Sequence, residues 1–379
     1  MKNIFFIAVL LLLVGCSSNS NDSSLEEKKS ITTNSINPVK YAKGFTIEQF
    51  KSYKVITLKN AWVAEATPFK YVLYKNTKPN NVEGDVFVKT PIKSIACMSL
   101  THVAFLEKLG LENSIIALSG CDYVASSKIK KRIKNGAISE IGVDQNINYE
   151  MLVEKLPNFV MGYGIDASSN TYINKLKTLQ IDVVLNAEYM ELTPLGKAEW
   201  IKFVAAFYDE DVKANKIFNQ IENEYLELLK ITKNVTKNPT VFTGMPWNGA
   251  WYVPGAKSFQ SQFFKDAGAQ YLWLDNDEQA SIVKDKEVII NDAFNADFWL
   301  NQNSYKSIAE VVEFDNKFKG FSAVKNKQLY NNDKRINSFS GNDYWESGVV
   351  NPQIVLKDLI KIFHPNLLAH ELYYYRKLE

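Results

Sequence analysis

The residues able to do chemistry in this chain are few, and their spacing narrows what that chemistry is. Cys16 closes an apolar run from Ile4 to Val14, whereas Cys97 and Cys121 stand apart in apolar surroundings without a CxxC or other metal-type spacing. Two small thiols in such settings read as buried packing groups, with a disulfide as the alternative in an oxidising compartment. His102, His364 and His370 are dispersed, so a bare zinc or manganese site is not expected. There is no Gly-x-Ser-x-Gly elbow, no His-Glu-x-x-His and no phosphate-binding glycine loop followed by lysine. Asp275 and Asp277 pair in sequence on a polar run that reads as a solvated loop. Neither enzyme chemistry nor a cofactor is therefore expected.

Aromatic side chains are the plentiful functional type. They make up 13% of the chain, and Trp247, Trp251, Tyr252, Trp273, Trp299, Tyr344 and Trp345 all fall in its second half. Several sit beside Gly, Pro and Asn, where a loop is expected and a core role is harder to argue. Planar side chains on loops bury area at low entropic cost and stack on conjugated ligands. Charge is nearly balanced, with 44 basic against 42 acidic residues and a net of +2. No basic block is prominent, so nucleic acid is not expected as a partner.

These residues need elements to hold them. Lys54–Leu58 and Lys70–Tyr74 alternate as a short antiparallel pair. From Ile92 onward strands and helices alternate: strands at 92–98, 114–118, 159–161 and 182–185, helices at 100–109, 149–156 and 172–179. That order predicts a parallel sheet covered on both faces. A helical stretch from Leu195 to about Ile231 contains no proline and reads as a rigid strut of roughly 50 Å, with a break near Asp209–Asp211 as the alternative. The second half repeats the first, with strands at 240–243, 271–274 and 297–300 and helices at 258–267, 287–294 and 352–363. The expected fold class is α/β: two Rossmann-like lobes with parallel-rich sheets joined by a long helix, plus a small N-terminal β extension. The expected divisions are a signal at 1–16, a flexible stalk at 17–38, the β extension at 39–90, an N-lobe at 91–194, the linking helix at 195–232 and a C-lobe at 233–379.

The N-terminal apolar run is too short to span a bilayer and reads as the core of an export signal. Its ending, Leu13-Val14-Gly15-Cys16, resembles the lipobox of bacterial lipoproteins, which implies cleavage before Cys16 and a lipid on its thiol. Each buried methylene of such a lipid adds about 0.8 kcal/mol of membrane affinity. The Ser-, Asn-, Thr-, Lys- and Glu-rich segment that follows buries too little surface to order itself, and so serves as a tether.

The body resembles the substrate-binding lipoproteins of ABC importers for iron-siderophores, haem and cobalamin. The resemblance covers about residues 85–375. It rests on Ile95-Ala96-Cys97-Met98-Ser99 with Leu109-Gly110, on Ile115–Leu118 leading to Ser119–Tyr123, and on Gly142 with Asn148-Tyr149-Glu150. It continues through Leu156-Pro157-Asn158-Phe159-Val160, Pro194-Leu195-Gly196, Gly255-Ala256-Lys257-Ser258, and Asp343-Tyr344-Trp345-Glu346 to His364-Pro365. The resemblance implies a binding protein, expected as a monomer facing the periplasm. It would capture a metal chelate, an iron-siderophore or related iron complex, and deliver it to an ABC permease of the inner membrane. A corrinoid or haem ligand, or surface capture without an importer, are the alternatives, as is anchoring in the outer membrane.

In that family the ligand lies between the lobes at the carboxyl ends of strands. The matching positions here are Trp247, Trp251, Tyr252, Met245, Tyr163, Tyr344, Trp345 and His102. Glu150, at a helix start, matches the acid that docks the N-lobe on permease arginines. The second such acid aligns with Lys257, a departure for which Asp266 or Glu287 are the candidate substitutes.

Overall fold

The computed structural model describes residues 38–59, 68–142, 146–164 and 169–379. The export signal, Cys16 and all of the expected stalk but Pro38 lie outside the described residues. The chain opens with a four-stranded sheet of β1 (Phe45–Gln49), β2 (Tyr53–Leu58), β3 (Phe69–Tyr74) and β4 (Val86–Lys89). The expected antiparallel pair is β2 with β3, in which Tyr53 faces Tyr74 and Leu58 faces Phe69. β1 extends it antiparallel to β2, and β4 lies parallel to β3.

The N-lobe sheet follows. Its elements are β5 (Ile95–Cys97), α1 (Leu100–Lys108), β6 (Ile115–Leu118), α2 (Ser127–Lys134), β7 (Ser139–Glu140), α3 (Tyr149–Lys155), β8 (Val160–Gly162), α4 (Ser169–Thr178) and β9 (Val183–Leu185). The five strands are parallel in the order β7-β6-β5-β8-β9. Helices on both faces demand strands apolar on both faces, and β5, β8 and β9 are buried along their whole length. Side chains set the helix starts: Ser99 caps α1, Ser126 caps α2 and Asn148 caps α3. Cys97 and Cys121 are free and buried, and burial raises the pKa of both thiols.

The strut is not one helix. It divides into α5 (Pro194–Glu199), α6 (Ile201–Ala206) and α7 (Asp211–Thr232). At about 1.5 Å per residue α7 is roughly 33 Å long. The break falls at Asp209, whose φ of 58° is left-handed. Lysines of the N-terminal sheet hold it there: Asp209 pairs with Lys54 at 3.6 Å and Lys75 at 3.3 Å, and Asp211 pairs with Lys54. The apolar spacing on both sides of the break stays helical, which is why the sequence pattern runs through it.

The C-lobe contains β10 (Thr240–Thr243), β11 (Pro246–Trp247), β12 (Ala250–Pro254), α8 (Phe259–Asp266), β13 (Gln270–Tyr271), β14 (Ser281–Lys284), α9 (Lys286–Asp292) and β15 (Phe298–Leu300). After these come α10 (Ile308–Phe314), α11 (Ser322–Lys325), β16 (Leu329–Asn331), α12 (Asp343–Glu346), α13 (Pro352–Phe363) and β17 (Arg376–Lys377). Its main sheet has the order β13-β10-β15-β16-β17, parallel except for β17. A separate antiparallel sheet, β11-β12-β14, leaves the carboxyl end of β10.

Residues 38–44 bind to the strut through two buried carboxylates. Glu199 accepts the backbone N–H groups of Lys40, Tyr41 and Ala42 and the ammonium of Lys202 at 2.6–2.9 Å. Glu191 accepts those of Lys43 and Gly44 together with Trp200 Nε1. Acceptors with this many donors offset the cost of burying the charge.

Candidate ligand-binding cleft between the lobes

The return segment from β16 to α13 closes the C-lobe onto the N-lobe. Asn337 Nδ2 donates to the carbonyls of Asp122 (3.0 Å) and Val124 (2.9 Å). Gly341 lies so near that a Cβ there would stand 1.9 Å from the Tyr123 carbonyl oxygen, which only glycine tolerates. Glu346 accepts Ala125 N at 2.6 Å and Ser126 N at 3.1 Å. Residues 122–126 of the N-lobe and 337–346 of the return segment are thus neighbours.

Among the described residues Glu346 has no cationic partner in this contact, and burial pushes its pKa up to about 7. Between its ordinary value of 4.5 and 7 the folded state binds a proton that the unfolded state has released. Stability from this group is therefore present at low pH and lost as pH rises through that window, by on the order of 3 kcal/mol. Denaturation midpoints measured from pH 4.5 to 8 should show this slope, and Glu346→Gln should flatten it. An unchanged slope in the variant would place the titration elsewhere.

Behind the contact lies a cavity of about 260 Å³ lined from both lobes and the strut. Thr101 comes from the start of α1, Glu188 and Tyr189 from the segment after β9, and Lys197 from α5. Phe259 and Phe263 come from α8, and Tyr344, Trp345 and Val349 from the return segment. A second recess, about 630 Å³, opens in the C-lobe at the carboxyl ends of β10 and β15, lined by Trp247, Asn248, Lys286, Asn303, Tyr305 and Phe314.

The structure divides the expected site residues. Tyr344 and Trp345 line the cavity, their rings edge-on at 4.7 Å, with Tyr344 largely buried and Trp345 53% exposed. Trp247 lines the recess and is 64% exposed. Tyr252 is half exposed on the outer face of β12, opposite Val283. Trp251, its neighbour in sequence, is fully buried because consecutive strand residues point to opposite faces. It packs against Phe242, Trp299 and Phe318 and donates Nε1 to the Thr243 carbonyl. Trp251 therefore belongs to the C-lobe core, as do Trp299, Trp273 and Met245.

His102 does not reach the rim either. Its ring is buried under the N-lobe sheet against the Met161 backbone, and burial pushes its pKa down to about 3. The other two histidines serve backbone and carboxylate contacts, His364 with the Gly268 carbonyl and His370 with Asp358. Tyr163 is partly buried against the N-lobe core. Glu150 is exposed in the first turn of α3. Of the substitutes for a second docking acid, Asp266 is committed to Tyr225 and Gln262. Glu287 is exposed and pairs with Lys317, while Lys257 pairs with Asp277 at 2.8 Å. Among the described residues no group of three or more His, Cys, Asp or Glu could hold a metal ion.

Glu188, Tyr189, Lys197, Phe259 and Phe263 are cavity residues that the sequence did not single out. The first two directly follow β9, so the rule that ligands bind at strand carboxyl ends reaches them. Lys197 and the α8 phenylalanines carried no such signal.

Comparison with known proteins decides what this architecture is. The profile of the periplasmic binding protein family matches residues 95–336. The chain belongs to that family. Periplasmic binding proteins are non-enzymatic, which agrees with the missing catalytic motifs. A lipoprotein of Methanocaldococcus jannaschii is 27% identical over 401 residues, spanning 96% of this chain and 94% of its own length. A solved periplasmic solute-binding protein of Staphylococcus epidermidis, named as a possible iron binder, aligns with a TM-score of 0.57 at 17% identity, covering 73% of this chain and all of its own. The periplasmic vitamin B12-binding protein of Vibrio cholerae aligns at 0.52 and 12% identity, covering 72% and 97%. The periplasmic binding protein architecture of two parallel sheets is thus present here, with a four-stranded sheet added at the N-terminus.

Proposed function

We infer that this periplasmic binding protein is the solute receptor of an ABC importer, anchored outside the cytoplasm through a lipid on Cys16. Its ligand is a metal chelate, an iron-siderophore or related iron complex, with a corrinoid or haem as the alternative. The observation that carries this reading is the placement of exposed aromatic planes on two recesses, with Trp247 on the C-lobe recess and Trp345 on the cavity between lobes. Large flat rings flanking a cleft give affinity for conjugated or macrocyclic ligands without a charge requirement. The S. epidermidis protein, named as a possible iron binder, and the V. cholerae vitamin B12 binder support this ligand class. The M. jannaschii relative is named a lipoprotein, which supports the anchor.

Glu150 is the proposed permease contact on the N-lobe, being acidic, exposed and at a helix start. The test titrates the protein with a ferric trihydroxamate, a ferric catecholate, haem and cyanocobalamin while following tryptophan fluorescence. At least one should quench with saturation, and silence from all four would remove the chelate assignment. Glu150→Lys should lower uptake into cells several-fold with ligand affinity unchanged, since it lies away from both recesses; a matching loss of affinity would assign it to the site instead.

A further inference from the structure

Of the residues lining the cavity between the lobes, Lys197 is the one cation and Glu188 the one acid, and the other walls are mostly apolar or aromatic. The Lys197 ammonium donates to the Glu188 backbone carbonyl at 3.3 Å and stands 4.7 Å from the centre of the Phe259 ring. Among the described residues it makes no ion pair. An ammonium has three N–H donors, so one carbonyl and one ring face leave it under-used. Burial pulls its pKa below the ordinary lysine value, and the charges of Glu188 and Glu191 oppose that pull. A partly buried cation without an ion-pair partner is costly, and a methionine, one atom shorter and uncharged, would fill most of the space more cheaply.

We propose that Lys197 is the charge-reading residue of the cleft and takes a carboxylate borne by the ligand. This rests on the cleft being the ligand site, and it adds a chemical class: the captured molecule carries a carboxylate arm. The cavity volume of about 260 Å³ lies below the roughly 300–1,000 Å³ of whole-ligand pockets. It therefore admits one limb of a larger ligand, while the bulk lies toward the exposed rim at Trp345. The limb is flat or apolar up to its carboxylate, because Tyr189, Phe259, Phe263 and Tyr344 offer it ring surfaces. An amide or ester limb would offer the ammonium a carbonyl acceptor but no counter-charge, so it is bound less tightly than a carboxylate.

The experiment uses the full chain in detergent micelles and two small probes that fit the cavity, benzoate and benzamide, titrated by ligand-observed NMR at pH 7. Wild type should bind benzoate at least roughly tenfold more tightly than benzamide, the scale of one charge-assisted hydrogen bond. Lys197→Met should remove the preference for benzoate, and Lys197→Arg should retain it because it keeps the charge. Failure of benzoate to bind wild type, equal binding of both probes, or a preference that survives in Lys197→Met would each overturn the proposal. The methionine variant's thermal midpoint guards against misfolding, and the arginine variant still decides the case if methionine fails to fold. The chelate titration is a separate measurement. Silence there with benzoate selectivity intact would remove the chelate and leave the carboxylate site standing.

Discussion

Glu199→Ala is expected to cost about 3–5 kcal/mol, the range for removing one partner of a buried ion pair. The loss concentrates at one carboxylate because it serves the strut and the N-terminal segment at once. Without it, three backbone N–H groups of residues 40–42 and the Lys202 ammonium lose their acceptor. Lys202 is 1% exposed and keeps the Pro38 carbonyl at 2.6 Å, the Phe218 ring at 4.6 Å and the more distant charge of Glu222. Urea denaturation should show the first transition moving to lower denaturant, and proteolysis should cut first within residues 38–90. The double variant Glu199→Ala/Lys202→Met should recover part of the loss, since it removes the stranded cation as well. A single-variant cost below about 1 kcal/mol would mean that the segment is held by the aromatic packing of Phe45 on Trp200 and Phe203 instead.

The second large effect separates two tryptophans only four residues apart. Trp251→Ala should cost about 3–5 kcal/mol of stability through the cavity it leaves beside Phe242, Trp299 and Phe318. Trp247→Ala should leave stability within about 0.5 kcal/mol, as for an exposed site, and weaken ligand binding roughly tenfold or more, as loss of an aromatic anchor does. Denaturation and fluorescence titration on the same two proteins read both effects. Equal destabilisation by the two variants would contradict the strand register that sends them to opposite faces.

That register was within reach of the sequence. Asn248-Gly249 between Trp247 and Ala250 is the two-residue signature of a hairpin, and both residues have positive φ, 48° and 81°. With that turn, alternation along 250–254 sends Trp251 and Tyr252 to opposite faces. Without the turn the aromatics of 247–252 are equivalent in the sequence, whereas the structure takes Trp251, and likewise Met245, into the core. His102 misled for a related reason. Its place just past β5 is legible, but which side of α1 faces the sheet depends on packing that no local pattern encodes. The break at Asp209 escaped a firm assignment because lysines from a distant sheet, Lys54 and Lys75, hold it.

By itself the sequence determined the fold class, through alternating apolar strands and amphipathic helices; the missing catalytic motifs, through residue types; and the expected address, through Cys16 and the run before it. Local periodicity carries such information because each element must present an apolar face before any partner is chosen. Only the tertiary structure decided which side chains meet. The return segment brings Glu346 to Ala125, and the strut brings Lys197 to Phe259, across separations of 221 and 62 positions. Contacts of that range arise from how helices and sheets pack, and packing depends on shape and volume rather than on pattern. Of the expected site residues, the fold leaves Trp247, Trp345 and Tyr344 on recesses and takes Trp251, Met245 and His102 into the interior, while the cavity, and the cation within it, appears only when the lobes are folded together.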